Sequence, residues 1–288
     1  EDGLLEDTII FCFSDHGEGM PRGKCNSIGF GYRTAFVVRF PEKYAHLSPW
    51  GTKTVTDELI SFEDLAPTIL SLAGLDAPEH MTGRAFLGEK RTPPPQYIFA
   101  ARDRLDDTPD LCRSAMDGRF VYTRNFFPHL PVLKYQKYAD VSEIHRAIRK
   151  DYSDGCLNQV QAELVAPTRP TEYLFDLNAD PWEINNLAGL PQYQGDLQRL
   201  RNATMQHALD VGDVMFLPES EMIHNARGAT PYELRYDTDY NPLTQILGAA
   251  TRVGDATEEG ITAQLEALDN DYPAVRYWGG VGLFAARA

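Results

Sequence analysis

The sequence predicts an α/β protein, and three observations carry that prediction. Two β-branched and aromatic runs, residues 8–14 and 32–39, flank a glycine-rich loop; a helical apolar period fills residues 57–74; and three more strand-like runs precede one polar amphipathic helix. Alternating strand, loop, strand and helix predict a sheet covered by helices, and strands grouped before a helix predict a smaller α+β layer beside it.

Each element has its own signal. Residues 8–14, "TIIFCFS", form the continuous apolar run of a strand buried on both faces of a mostly parallel sheet. Tyr32 to Arg39, "YRTAFVVR", is a second such run, stopped by Pro41. From Asp57 onward, Leu59, Ile60, Leu65, Ile69, Leu70 and Leu72 recur at three- and four-residue steps, Asp64 and Pro67 mark a turn within the segment, and Gly74 terminates it. Pro93-Pro94-Pro95 punctuates the chain as a subdomain boundary. Beyond it Tyr97–Ala101, Arg119–Arg124 and Glu172–Leu177 read as strands, and residues 191–210 as the amphipathic helix. Ile261–Leu268 and Pro273–Ala286 read as helices, with Pro273 suited to a helix start. Two helices cannot enclose a core, so they predict the opening of a stacked helical array. The expected organisation is a core section over 1–92, an α+β subdomain over 93–225, and a linker with a helical tail over 226–288.

Composition narrows the function. At 288 residues, 43% hydrophobic and 24% charged, the chain has the make-up of an ordinary globular protein, and no run approaches the roughly 18 apolar residues of a membrane-spanning helix. A formal charge of -15 argues against nucleic acid or an anionic membrane surface as partner, and an anionic small substrate would need a local cationic pocket. Cys12, Cys25, Cys112 and Cys156 are widely spaced, which indicates neither a zinc ribbon nor a disulfide framework. The chain opens on Glu1, which predicts a section of something longer.

Chemistry concentrates where the first strand ends, in "SDHGEGMPRGK", residues 14–24. Ligands of open α/β sheets bind beyond the carboxyl ends of strands. There Asp15 offers a hard oxygen ligand for a divalent cation, and His16 a ligand for a softer ion or a hydrogen-bond donor. Gly17 and Gly19 remove side-chain bulk near that point, while Arg22 and Lys24 bring cations suited to a tetrahedral oxyanion. A metal-assisted phosphate or sulfate ester site fits this set; a capped turn with solvated loop charges is the bland alternative.

Four segments in order resemble the type I sulfatases of the alkaline-phosphatase superfamily: "GLLEDTIIFCFSDHGEGMPRGK", "SFEDLAPTILSLAGLDAPEHMTGRAFLG", "EYLFDLNADPWEINNLAG" and, like the start of a HEAT-like repeat found in some bacterial members, "NDYPAVRYWGGVGL". The resemblance implies a partial alkaline-phosphatase-like core and a periplasmic or extracellular setting. It implies that Asp15 ligates a divalent cation, usually Ca²⁺, that His16 stands where members carry Asn or His, and that Lys24 holds a sulfate oxygen, with Arg22 as a second candidate or a buttress of the loop. The family's nucleophile is a formylglycine made within a Cys/Ser-x-Pro-x-Arg motif. No cysteine or serine of this sequence stands in that motif, so the nucleophile is expected upstream, and the chain alone is expected to be inactive.

Arg102 and Arg104, after the third strand-like run, are candidates to reach the non-sulfated part of a small-molecule or glycan sulfate ester; a structural ion-pair cluster is the competing reading. His129, in "FFPHLP", reads as a packed histidine with a weaker claim on the substrate pocket, and Tyr277-Trp278 as packing for a following repeat. The Asp15-His16 pair also motivates a phosphodiesterase or phosphonate hydrolase using Zn²⁺ or Mn²⁺, and a non-catalytic scaffold is the third reading.

Overall fold

The computed structural model describes residues 2–26, 29–105 and 107–287. Its first sheet has two strands, β1 (Ile10–Phe13) and β2 (Phe36–Arg39), paired antiparallel with Ile10 opposite Arg39 and Phe13 opposite Phe36. The expected parallel pairing is corrected here. A parallel neighbour needs a crossover, usually a helix, whereas the connection over 14–35 contains only turns and the short 3₁₀ turn Gly29–Gly31 among its described residues. The chain therefore returns beside itself as a wide hairpin. Burial on both faces is also corrected: Ile10, Phe13 and Val37 are exposed, while Phe36 gathers Phe11, Phe13, Phe62 and Phe86 around its ring.

The helical segment after Asp57 is shorter than its apolar period. A 3₁₀ turn over Phe62–Asp64 leads into α1 (Leu65–Leu72). Ser61 and Asp64 form a reciprocal cap, and the second Asp64 oxygen accepts from the Arg84 backbone N–H at 2.8 Å. Pro67 is tolerated because it lies in the first turn, where no N–H needs an intrahelical acceptor. At the other end Gly74 adopts φ 74°, and Leu75 N–H reaches back to Leu70 O at 2.9 Å.

The second sheet runs β3 (Ile98–Arg102), β4 (Cys112–Met116), β5 (Phe120–Asn125) and β6 (Glu172–Asp176), antiparallel and in sequence order. Asp117-Gly118 makes the β4–β5 turn, with the Asp117 carboxylate accepting from the N–H groups of Arg119 and Phe120. Between β5 and β6 lie α2 (Glu143–Ser153), capped by Ser142, and α3 (Gln159–Val165), opened by an Asn158/Gln161 capping box. Then α4 (Gln194–Val211) sets Leu197 and Leu200 on Ala115, Phe120, Tyr122 and Leu174 of the sheet, and it stops at Gly212 with φ 63°.

The chain closes with α5 (Glu219–Asn225), α6 (Leu243–Ala250), α7 (Glu258–Ala267) and α8 (Pro273–Ala285). The expectation that Trp278 packs a following repeat is corrected, since this tail packs back onto the second sheet's end. Trp278 of α8, only 1% exposed, lies in one core cluster with Leu111, Phe126, Phe216 and Ile246, and its indole N–H donates to Phe216 O at 2.8 Å. Among the described residues no helix is long and apolar enough to cross a membrane.

Candidate active site

The loop after β1 is shaped by close backbone approaches. Gly17 N–H donates to Gly31 O at 2.9 Å, and a Cβ on Gly17 would stand 2.0 Å from Phe30 O. Its missing side chain thus makes room for the loop's own second limb, whereas Gly19 faces open space. Gly23 is similar: a Cβ there would meet Glu18 O at 2.1 Å, next to the Lys24 N–H donated to the same carbonyl at 2.8 Å. Cys25 follows with φ 66°, a left-handed conformation that a non-glycine residue holds only when its surroundings fix it.

This loop presents the candidate groups. Asp15 follows β1 with its side chain 87% exposed. His16 Nδ1 lies 2.7 Å from Gly17 O. A carbonyl only accepts, so Nδ1 carries the hydrogen, which leaves Nε2 as the nitrogen that could ligate a cation in the neutral ring; it lies 3.6 Å from Asp15 Oδ1. A carboxylate oxygen and a free imidazole nitrogen side by side fit part of a divalent-cation shell. Ca²⁺ takes about six to eight oxygen ligands. Among the described residues no three His, Cys, Asp or Glu side chains converge on a metal position. Lys24 is exposed on the same loop, with no side-chain partner among the described residues.

Arg22, Arg102 and Arg104 have protein partners. Arg22 Nη1 donates to Trp182 O at 2.8 Å and Nη2 to Glu183 O at 2.5 Å, so it fastens the loop to the turn after β6, with the Phe30 and Trp182 rings 5.6 Å apart beside it. Arg102, its side chain 12% exposed, has Nε 3.0 Å from Asp110 Oδ2 and donates through Nη1 to Asn26 Oδ1 at 3.0 Å. Arg104 pairs with Glu219 at 2.8 Å on the surface.

Sequence reasoning missed the group behind Arg102. The Asp110 carboxylate is buried and faces Arg102, Lys134 at 2.7 Å, and Arg169, which bonds it through both Nη atoms. Burial pushes its carboxyl up, and Arg169, Arg102 and Lys134 outweigh that push, so Asp110 titrates well below the usual carboxylate range. Burial and then the repulsion of Arg169 bring Lys134 down to about 8. No local pattern announces this cluster, because its members come from four separate segments.

His129 is a packed residue, its ring set edge-on between Phe127 and Phe284. Two openings lie away from the loop. One of about 440 Å³ is apolar and lined by Val211, Met215, Met222 and Tyr232. The other, of about 390 Å³, lies between β3 and α4 with Glu63, Asp103, Arg113, His207 and Asp213 in its walls. Arg113 is saturated there by Asp213 and Asp103.

Residues 1–75 of the chain match the family described as Sulfatase. A solved 2-O GAG sulfatase overlaps the fold with a TM-score of 0.46 at 20% identity, over 72% of this chain and 37% of that one. In sequence, the chain is 39% identical to the ulvan-active sulfatase of Formosa agariphila over 228 residues, which is 78% of this chain and 37% of that protein. It is 26% identical to the N-sulphoglucosamine sulphohydrolase of Homo sapiens, over 69% of this chain and 41% of that protein. The chain thus spans well under half the length of these relatives. These relatives are sulfatases, and the phosphodiesterase reading finds no favour in them.

Proposed function

We propose that this chain is the carboxyl-terminal section of a sulfatase that hydrolyses sulfate esters on a glycan. The observation that carries the proposal is the sulfatase match over residues 1–75, within which exposed Asp15 and Lys24 and half-buried His16 share a single loop at the end of β1. The relatives' names, an ulvan-active sulfatase and an N-sulphoglucosamine sulphohydrolase, support a sulfated sugar as substrate class.

In this reading Lys24 is the catalytic cation of the chain. Its ammonium would bind a sulfate oxygen and offset the charge that builds there as the S–O ester bond breaks. Asp15 and His16 would hold part of a divalent cation's shell, with Ca²⁺ the ion the carboxylate suits best; when bound, the ion supplies further charge neutralisation at the sulfate. The attacking group, a formylglycine in this proposal, would come from the part of such a protein that this chain does not include. Arg22 would keep the loop seated against the second sheet through Trp182 and Glu183.

The test is sulfate release from a sulfated oligosaccharide by the full-length protein. Lys24→Ala is expected to lower kcat by roughly 10²–10³, the cost of deleting one oxyanion contact. Equal turnover by Lys24→Ala and wild type would overturn the assignment.

A further inference from the structure

We propose that Arg102 and Asn26 are positioning residues for Lys24, and that through them the second sheet sets where that cation stands. The inference rests on the reading of Lys24 as the sulfate-binding group.

The contacts form an unbroken chain. Asp110, buried just ahead of β4, is ion-paired with Arg102, its carboxylate 3.0 Å from Arg102 Nε. Arg102, at the end of β3, donates through Nη1 to Asn26 Oδ1 at 3.0 Å. Asn26, itself 7% exposed, turns its amide nitrogen back on the loop and donates to Pro21 O at 3.0 Å and Lys24 O at 3.2 Å. Its backbone N–H adds a bond to Gly23 O at 3.1 Å. The turn that carries Lys24 is therefore bracketed by one side chain, and that side chain's orientation is set by Arg102. An amide with Oδ1 towards the guanidinium has only its NH₂ left for the two carbonyls, so Arg102 also fixes which way Asn26 faces.

This arrangement separates Arg102 from a substrate ligand. Its guanidinium is largely enclosed and committed to Asp110 and Asn26, whereas Lys24 is exposed with no side-chain partner among the described residues. Segment 17–26 has no helix or strand to hold it, so its shape depends on such contacts. Removing Arg102 strands a buried Asn26 oxygen and frees the amide to turn, and a displacement of about 1 Å at a catalytic group costs on the order of a hundredfold in rate.

A double-mutant cycle in the full-length protein tests this with sulfate release. Arg102→Ala and Asn26→Ala are each expected to lower kcat about a hundredfold with little change in KM, by loss of positioning. In a Lys24→Ala background each should cost less than about threefold, because the group being positioned is gone. A direct substrate ligand would instead cost its full factor in both backgrounds, and that additivity would overturn the proposal. Arg102→Ala leaves Asp110 with Lys134 and Arg169, and Asn26→Ala leaves the Arg102–Asp110 pair intact, so folding does not hang on either change.

Amide hydrogen exchange in the same full-length variants reads the geometry without turnover. The Lys24 and Asn26 amides should exchange at least about tenfold faster in Arg102→Ala and stay unchanged in Lys150→Ala, a surface control on α2. Unchanged exchange in Arg102→Ala overturns the positioning proposal. Absent sulfate-ester turnover in wild type overturns the functional reading instead, and exchange then decides the positioning question by itself.

Discussion

Truncating Trp278 to alanine tests whether the helical tail shares one core with the residues at the end of the second sheet. The ring lies against Phe126 and Phe127 at centroid distances of 5.9 and 5.6 Å, with Phe216 at 6.0 Å. Deleting a buried aromatic ring costs about 3–5 kcal/mol. The indole N–H also satisfies Phe216 O, and leaving that buried carbonyl alone adds about 1 kcal/mol. With roughly 2–4 °C of melting temperature per kcal/mol for a domain this large, the main transition should fall by about 10–20 °C. Trp278→Phe keeps most ring contacts and should lose about a third as much. Thermal unfolding followed by near-ultraviolet circular dichroism makes the measurement. A main transition that moves by less than about 3 °C in Trp278→Ala would refute the reasoning, because a helix pair outside the core can melt without disturbing it.

Further outcomes follow from the loop and the buried cluster. Gly17→Ala drives a Cβ towards the Phe30 carbonyl and should destabilise the loop by about 1–3 kcal/mol, read as a lower melting temperature and faster proteolysis within residues 14–35; unchanged susceptibility would contradict the close approach. Lys134 titrates at about 8 in the fold against 10.5 in a free chain, so between those values the unfolded state binds more protons and stability should rise with pH. The gain is about 3 kcal/mol and should vanish in Lys134→Met; parallel pH profiles for the two proteins would refute it. Asp110→Asn leaves three buried cations without their carboxylate and should cost about 3–5 kcal/mol in urea unfolding, so a loss below about 1 kcal/mol would count against the cluster.

What the sequence disclosed depended on how local each signal was. The run at residues 8–14 announces β1 because β-branched and aromatic residues favour a strand, but a strand's partner and direction are tertiary facts, and the 14–35 loop returns β2 antiparallel. Strand β4 escaped because "CRSAM" has no β-branched residue; the Asp117-Gly118 turn was the available signal for it. The same holds for α2 and α3, whose local signals are the Ser142 and Asn158 caps. The helix at α8 was readable with Pro273 at its start, while the docking of Trp278 required Phe126 and Phe216, distant in the chain. Asp15, His16, Arg22 and Lys24 lie within one loop, so their proximity could be read from the sequence. The partners that decide what Arg22 and Arg102 do, Trp182, Glu183, Asp110 and Asn26, are joined only by the fold.

The most direct measurement of the central claim is inorganic sulfate released from a sulfated oligosaccharide by the full-length protein, wild type beside Lys24→Ala. The account predicts release by wild type and a fall of about 10²–10³ in kcat on loss of the ammonium. Release that is undiminished in Lys24→Ala, or a wild type that frees phosphate from phosphodiesters and no sulfate, would contradict it.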